Sequence, residues 1–128
     1  MSAQRELDHL SDDGASAVSV VHQALRREVN ERISHVNGRL HLAEDERMDV
    51  MCECVHGGCT GMVSVSIAAY EQVRRFPTRF FVTAGHEELE SERVVSKREG
   101  YVVVEKFGDG GPHAVASDPR NRRSRRRP

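Results

Sequence analysis

The residues of this chain that could do chemistry are concentrated in one short run, DVMCECVHGGCT, at residues 49–60. This run holds all three cysteines, Cys52, Cys54 and Cys59, in the spacing C-x-C-x4-C. In a strand, the two-residue period would send the first two thiols to the same face. The glycine pair that follows lets the backbone turn sharply and bring the third thiol back toward them. Three converging thiolates suit zinc, which prefers four nitrogen and sulfur ligands in a tetrahedron, so the run predicts a zinc site.

A closed structural zinc site needs a fourth ligand, and two histidines qualify. His86, in TAGHEE, follows a predicted strand and a glycine that frees its approach, and it is the preferred ligand. His56 shares the alternation of the cysteines but lies inside the crowded loop, so it is the alternative, followed by water or a carboxylate. Histidines with no cysteine nearby in the sequence are predicted to be solvated: His22, His35, His41 and His113.

The three thiols have other interpretations as well. Free cysteines are commonly buried as small apolar residues, so the run could belong to the core without any metal. Copper(I) is a minor alternative to zinc, because Met48, Met51 and Met62 are close in the sequence. A redox sensor, in which oxidation of the thiols ejects zinc, is a third alternative. Catalytic thiol chemistry is not indicated, because the sequence has no C-x-x-C motif and identifies no oriented base.

Composition predicts a soluble cytoplasmic protein. Charged residues make up 30% of the 128 residues, and the mean hydropathy is -0.58. No apolar run approaches the roughly 18 residues that a membrane helix needs, and no secretory signal is predicted at the N-terminus. Thiols in the cytoplasm stay reduced, so clustered cysteines indicate metal ligands or redox groups rather than disulfides.

A long helix is predicted at residues 16–40, after a disordered N-terminus at residues 1–15. Aliphatic residues recur there at steps of three and four: Val18, Val21, Leu25, Val29, Ile33, Val36 and Leu40. Ser16 could cap its start, and Asn37-Gly38 is a typical stop. We expect this aliphatic stripe to pack on the rest of the domain. The alternative is that it binds a protein partner or a second copy of the chain.

A small α+β domain of order β-β-α-β-β-β is predicted at residues 45–107. Its strands are expected at residues 48–54, 62–66, 79–83, 90–98 and 101–107, with a helix that Ser66 caps and that ends near residue 75. Roughly sixty residues form a thin core, and domains of that size often depend on a metal, a disulfide or a partner. A zinc-stabilised domain is therefore the predicted fold.

An arginine-rich tail is predicted at residues 108–128, where a flexible linker precedes a charged run. Six arginines against two aspartates give the tail a charge of +4, so the total of -1 leaves -5 for the rest of the chain. We expect the tail arginines to contact phosphates of nucleic acid or a ribonucleoprotein: Arg120, Arg122, Arg123, Arg125, Arg126 and Arg127. The alternative is a tail that only solubilises the protein or binds an acidic partner.

A second basic segment, VRRFPTRF, could extend that nucleic-acid surface. Arg74, Arg75 and Arg79 flank two phenylalanines in this segment. The two rings, Phe76 and Phe80, are expected in the core more than on a base-stacking surface. The arginines would then form either part of the nucleic-acid contact or a solvated face.

Residues 52–106, together with VNERI at residues 29–33, resemble a family of small bacterial proteins that is frequent in actinobacteria. The shared features are a CEC-x4-C start, a helix of the type EYE-x-VR, an RF-x-V-x-x-GHE segment and a final ERVV…GY-x-VVEK hairpin. Ala84 stands where the family pattern has proline, and the arginine tail lies outside the resemblance. The resemblance supplies no activity, but it implies shared ligand positions at Cys52, Cys54, Cys59 and His86.

No enzymatic motif is visible in the sequence: it has no phosphate-binding loop, no Rossmann fingerprint and no Ser-His-Asp order. A closed Cys3His zinc site has no open coordination position with which to activate water. The sequence therefore predicts a non-enzymatic zinc-binding protein that acts as a regulatory or accessory factor.

Overall fold

A computed structural model shows three helices and five strands in the part of the chain that it describes. Residues 2–40, 43 and 45–121 are described, with the side chains of the first helix from residue 20 onward. In chain order the elements are α1 (Ser2–Arg39), β1 (Arg47–Met51), β2 (Met62–Ser66), α2 (Ile67–Arg74), β3 (Arg79–Thr83), β4 (Glu92–Arg98), β5 (Tyr101–Lys106) and α3 (Gly110–Ala116). The predicted α+β class is confirmed, and the predicted order β-β-α-β-β-β agrees with β1 to β5. No helix among the described residues has the length and hydropathy needed to cross a membrane.

The strands form two small antiparallel sheets. Strands β1 and β2 pair with each other, and their alternate residues point inward, with Val50 opposite Val63. The other sheet has the order β3-β5-β4, so β5 lies in its centre. Val102, Val103 and Val104 are all buried in β5, as expected for a strand with both faces covered.

Two local signals set the ends of α2 and of the β4–β5 hairpin. The Ser66 hydroxyl accepts a hydrogen bond of 3.1 Å from the Ala69 N–H, which is the predicted N-cap of α2. Gly100, at φ 86, supplies the left-handed conformation of the turn between β4 and β5. The Ser66 cap was predicted from the sequence.

Two apolar clusters lie on the two faces of the three-stranded sheet. The first includes Tyr70 stacked on Phe81, with ring centroids 5.5 Å apart. The second contains Cys52 and Cys54, packed with side chains that include Phe80. Since two of the thiols are themselves core residues, whatever they bind is joined directly to the packing of the domain.

Helix α1 lies on the domain with its polar face, and the prediction that its aliphatic stripe packs there is wrong. The buried side chains of α1 are Gln23, Arg26, Arg27, Asn30 and Glu31. Most members of the stripe are exposed: Val21, Leu25, Val29, Val36 and Leu40. The polar face is favoured because the domain offers it backbone carbonyls and carboxylates. Among the described side chains of α1, the apolar side contributes only Ile33, which packs against the first cluster.

Helix α1 also begins at Ser2, although the sequence predicts disorder at residues 1–15. Several residues near its start, such as Ala3, Gln4 and Glu6, are good helix formers. The single Gly14 costs about 1 kcal/mol relative to alanine, which a continuous helix can tolerate.

The predicted flexible linker is wrong for residues 108–121. Gly108, at φ 68, turns the chain into α3, whose Ala114 is buried in the second cluster. Asp118 is buried as well, and its carboxylate accepts a hydrogen bond from Arg74. Five of the predicted tail arginines lie outside the described residues: Arg122, Arg123, Arg125, Arg126 and Arg127.

Candidate metal centre

The four predicted ligands, Cys52, Cys54, Cys59 and His86, lie together. Their ligand atoms are all within 4.8 Å of one another, so the group could hold a metal ion. The Nδ1 atom of His86 is 3.7 Å from the Cys52 Sγ and 3.5 Å from the Cys59 Sγ. In a tetrahedral zinc site with ordinary bond lengths, such nitrogen and sulfur atoms are about 3.6 Å apart. The spacing therefore fits a zinc ion bound between these side chains.

The two sheets bring these side chains together from three segments. The chain leaves β1 at Met51, earlier than the predicted strand end at residue 54, because it crosses from β2 to β3. The Cys52 N–H still bonds the Gly61 carbonyl at 2.9 Å, whereas the Glu53 N–H bonds the carbonyl of Phe81 in β3. Alternation is kept across this crossing, so the Cys52 and Cys54 side chains share one cluster as predicted.

His86 reaches the thiols through a tight turn after β3. Its N–H bonds the Thr83 carbonyl at 2.9 Å, and Gly85 adopts φ 96 in this turn. His56, the alternative ligand, is exposed and is not a member of the group of four. Its ring meets the His86 ring edge-on, with centroids 5.7 Å apart.

Each of the three sulfur atoms accepts a hydrogen bond from an N–H group. The Thr83 N–H lies 3.1 Å from the Cys52 Sγ, and the Gly61 N–H lies 3.4 Å from the Cys59 Sγ. The Cys54 Sγ accepts its hydrogen bond from the guanidinium of Arg26, at 3.6 Å. Donors directed at sulfur stabilise the thiolate over the thiol, and the thiolate is the form that binds a metal.

The metal-free thiols differ in acidity. Burial raises the pKa of Cys54 to about 12. Burial acts in the same direction on Cys59, but hydrogen bonds, with that from the Gly61 N–H foremost, outweigh it and lower its pKa. Because a coordinating thiol must lose its proton, metal binding at this centre releases protons, and the buried Cys54 is one of their sources near neutral pH.

Arg26 of α1 holds the cysteine loop from outside. One guanidinium nitrogen donates to the Cys54 carbonyl at 2.7 Å, and another donates to the carbonyls of Gly57 at 3.1 Å and Cys59 at 3.0 Å. The buried Arg26 side chain therefore fixes the loop that carries the thiols against α1. Sequence reasoning missed this residue, since the prediction for the helix rested on its aliphatic stripe and assigned no contact to its charged side chains.

His22 packs against the same loop, so its predicted solvation is wrong. A Cβ atom built on Gly57 would lie 2.5 Å from the His22 ring, whereas a Cβ on Gly58 would meet nothing within 4 Å. Only the first glycine of the pair is thus required by the close approach of α1. The His22 Nδ1 is buried and has no hydrogen-bond partner among the described residues.

Glu53, the residue between the first two cysteines, anchors the loop to α1 from its other side. Its carboxylate accepts hydrogen bonds from the Asn30 side chain at 2.7 Å and from the Phe81 N–H at 3.0 Å, while its carbonyl accepts one from Gln23 at 2.8 Å. Burial raises its pKa, although Arg74 and these donors act against that rise. This fully buried carboxylate was also missed, because an isolated glutamate in a sequence gives no sign of its distant donors.

Arg120, predicted to contact nucleic acid, instead forms ion pairs with one carboxylate of α1 and one of α2. Its guanidinium lies 2.6 Å from the Glu31 carboxylate and 2.9 Å from that of Glu71. Burial disfavours the charged form of Glu31, but bonds from Arg120 and Tyr70 outweigh it and lower its pKa to about 2. The positive charge of Arg120 is therefore paired with two carboxylates of the same chain.

The second basic segment divides between the interior and the surface. The Arg74 side chain is fully buried beside Glu31 and Asp118, so its predicted place in a nucleic-acid contact is wrong. Phe80 is in the core as predicted, but Phe76 is exposed, with the Arg79 guanidinium 3.9 Å from its ring centroid. Arg75 is exposed next to it.

Comparison of this chain with protein-family models, curated proteins and solved structures finds no match. The likeness to a family of small bacterial proteins thus stays a prediction, and the metal centre is argued from the residues of this chain alone.

Proposed function

We propose that this protein binds one zinc ion through Cys52, Cys54, Cys59 and His86, and that the ion is structural. The observation that carries the proposal is the combination of three thiols and one imidazole within 4.8 Å of one another with an N–H donor to every sulfur. A Cys3His donor set of this kind is typical of structural zinc sites.

A zinc ion held in this way would not be catalytic. Four protein ligands fill a tetrahedral zinc ion and leave no position for a water molecule that the metal could activate. Cys52 and Cys54 are also buried in an apolar cluster, which limits the approach of a substrate. The protein would act as a regulatory or accessory factor, in line with its resemblance to small bacterial proteins of unassigned activity.

The ligand set favours zinc over copper(I). Two of the methionines that suggested copper have surroundings of their own. Met48 is buried in the first apolar cluster, where its sulfur receives a contact from the Asn37 amide at 3.1 Å, and Met62 is exposed. Three thiolates with one imidazole suit a tetrahedral zinc ion.

The metal content of the full chain tests this proposal. We expect one zinc per chain by elemental analysis, and we expect His86→Ala to weaken zinc binding by about 100-fold or more because it opens the site. His56→Ala is the matched control, and it should retain zinc as wild type does. Protein without metal and with three freely titrating thiols would contradict the proposal, as would loss of zinc in the control variant alone.

Contact with nucleic acid is a second candidate function, now supported by a smaller surface than the sequence suggested. Phe76 is exposed and stacked by Arg79, with Arg75 beside it, which is the composition of a base-stacking surface. The five tail arginines beyond residue 121 would add contacts to phosphates.

A fluorescence anisotropy titration at several salt concentrations tests this second function. If the five tail arginines all contact duplex phosphates, the slope of log K against log salt should be about -4 to -5. A chain ending at residue 121 should lose most of that slope, and Phe76→Ala should weaken binding to a single strand by about 1–3 kcal/mol. A slope near zero for the full chain would contradict nucleic-acid binding.

A further inference from the structure

Helix α1 presents an aliphatic face that no part of the described chain covers. Five members of the aliphatic stripe form this face, and their exposed fractions are Val21 (49%), Leu25 (54%), Val29 (40%), Val36 (53%) and Leu40 (65%). Single exposed aliphatic residues are ordinary, but five on one side of one helix form a continuous apolar surface, which marks a place of contact.

Helix α1 cannot turn the stripe onto its own domain without losing its polar contacts. Arg26, Asn30 and Gln23 fix the rotation of the helix through bonds to the cysteine loop and to Glu53. Turning the helix would leave these buried groups unpaired, at a cost of about 1–3 kcal/mol each. The stripe is therefore available to another molecule.

The spacing of the stripe suits a second helix as its partner. Leu25 and Val36 are eleven residues apart, as are Val29 and Leu40. Eleven residues make about three turns of an α-helix, so the two members of each pair lie nearly above one another on one side of α1. A second helix with the same spacing can contact both pairs.

Four of these five residues are also placed symmetrically about the point between Asn30 and Glu31. An antiparallel copy centred there would place Val21 opposite Leu40 of the second copy, and Leu25 opposite its Val36. A two-fold interface requires this kind of self-complementarity, because the same patch must serve on both sides. We propose that the occupant of the stripe is a second copy of this chain, paired with α1 antiparallel to α1.

The charges beside the stripe fit the same arrangement. Glu28 and Arg32 lie one turn apart, near the midpoint, on the flank of the stripe away from the docked residues Arg26 and Asn30. In the antiparallel pair, Glu28 of each copy lies next to Arg32 of the other, while the arginine stem covers Val29. Two symmetric ion pairs thus form at the rim of the apolar seam, and the helix dipoles oppose each other favourably.

Sedimentation equilibrium of the full zinc-loaded chain tests the pairing. Wild type should be a dimer at about 100 μM, and Leu25→Glu should be monomeric, with Kd raised at least about 100-fold because a charge would be buried in the seam. Leu89→Glu is the matched control, since Leu89 is a similarly exposed leucine (66%) outside α1, and it should stay dimeric. A monomeric wild type, a dimeric Leu25→Glu or a monomeric Leu89→Glu would overturn the proposal.

Charge reversal tests the antiparallel orientation. Glu28→Arg should weaken the dimer, because it brings like charges together, and Glu28→Arg with Arg32→Glu should restore it. Failure of the double variant to restore dimerisation would overturn the antiparallel arrangement. The zinc content and circular dichroism of each sample separate this inference from the metal site, because a monomer that retains one folded zinc centre counts against the dimer only.

Discussion

Removal of zinc is expected to unfold the domain at residues 45–121 cooperatively. Cys52 and Cys54 belong to the second apolar cluster, so their release opens the packing around Phe80 and Val82 as well as the loop. A structural zinc ion contributes on the order of 10 kcal/mol in small domains, whereas a domain of this size has a net stability of about 5–15 kcal/mol. A thin core places this domain near the lower end of that range, so the free energy of unfolding of the metal-free chain should be close to zero or negative.

Circular dichroism during thermal melting, with and without chelator, measures this effect. The chelated chain should lose its cooperative transition and regain it when zinc is added back. Cys52→Ser should behave like the chelated wild type, whereas Thr60→Ala, an exposed position in the same loop, should melt as wild type does. A chelated chain that still melts cooperatively near the wild-type temperature would show that the core does not depend on the metal.

The elements that the sequence predicted well are those set by near neighbours. The alternation in β2 and the apolar run of β3 identify strands whose bounds agree with the structure. The Ser66 cap identifies α2 in the same way. The four candidate ligands were predictable for a related reason, because thiols and imidazoles have few other uses when they are clustered.

The docking of α1 was not predictable, because periodicity reports which face is apolar and not which face is buried. The polar face is buried only because acceptors converge on it, such as the carbonyls of Cys54, Gly57 and Cys59. Those carbonyls are brought together by the loop, which lies some thirty residues further along the chain. No local pattern in α1 encodes that arrangement.

The ionic residues near the C-terminus were misjudged for the same reason. An arginine followed by further arginines suggests a solvated, phosphate-binding tail, yet Arg120 is paired with Glu31 and Glu71. Arg74 is buried because Asp118 comes from a distant segment to pair with it. A buried charge is acceptable only with such a partner, and the partner is visible only in the fold.

Arg26→Met is expected to weaken zinc binding by about 10- to 100-fold, as substitutions that act on metal ligands through their supporting contacts do. A zinc ion with three thiolates and one imidazole carries one net negative charge, which the Arg26 guanidinium faces at the Cys54 sulfur. Loss of Arg26 also leaves three carbonyls of the loop without their donor, and the carbonyl of Cys54 is buried. Competition with a chromogenic chelator measures the change in zinc affinity.

Arg27→Met separates this role from general packing of α1. Arg27 is the adjacent residue, is equally buried and also donates to backbone carbonyls, but its acceptors are Pro77 and Ala114, outside the cysteine loop. Both variants should lower the melting temperature, but only Arg26→Met should raise the zinc Kd and shift the sulfur-to-metal absorption of the cobalt-substituted protein. Arg26→Lys should be intermediate, because lysine keeps the charge but not the fork of donors. Equal zinc affinity in the Arg26→Met and Arg27→Met variants would contradict this role. Only Arg26 contacts the Cys54 sulfur, so equal affinities would mean that Arg26 contributes only to the packing of α1.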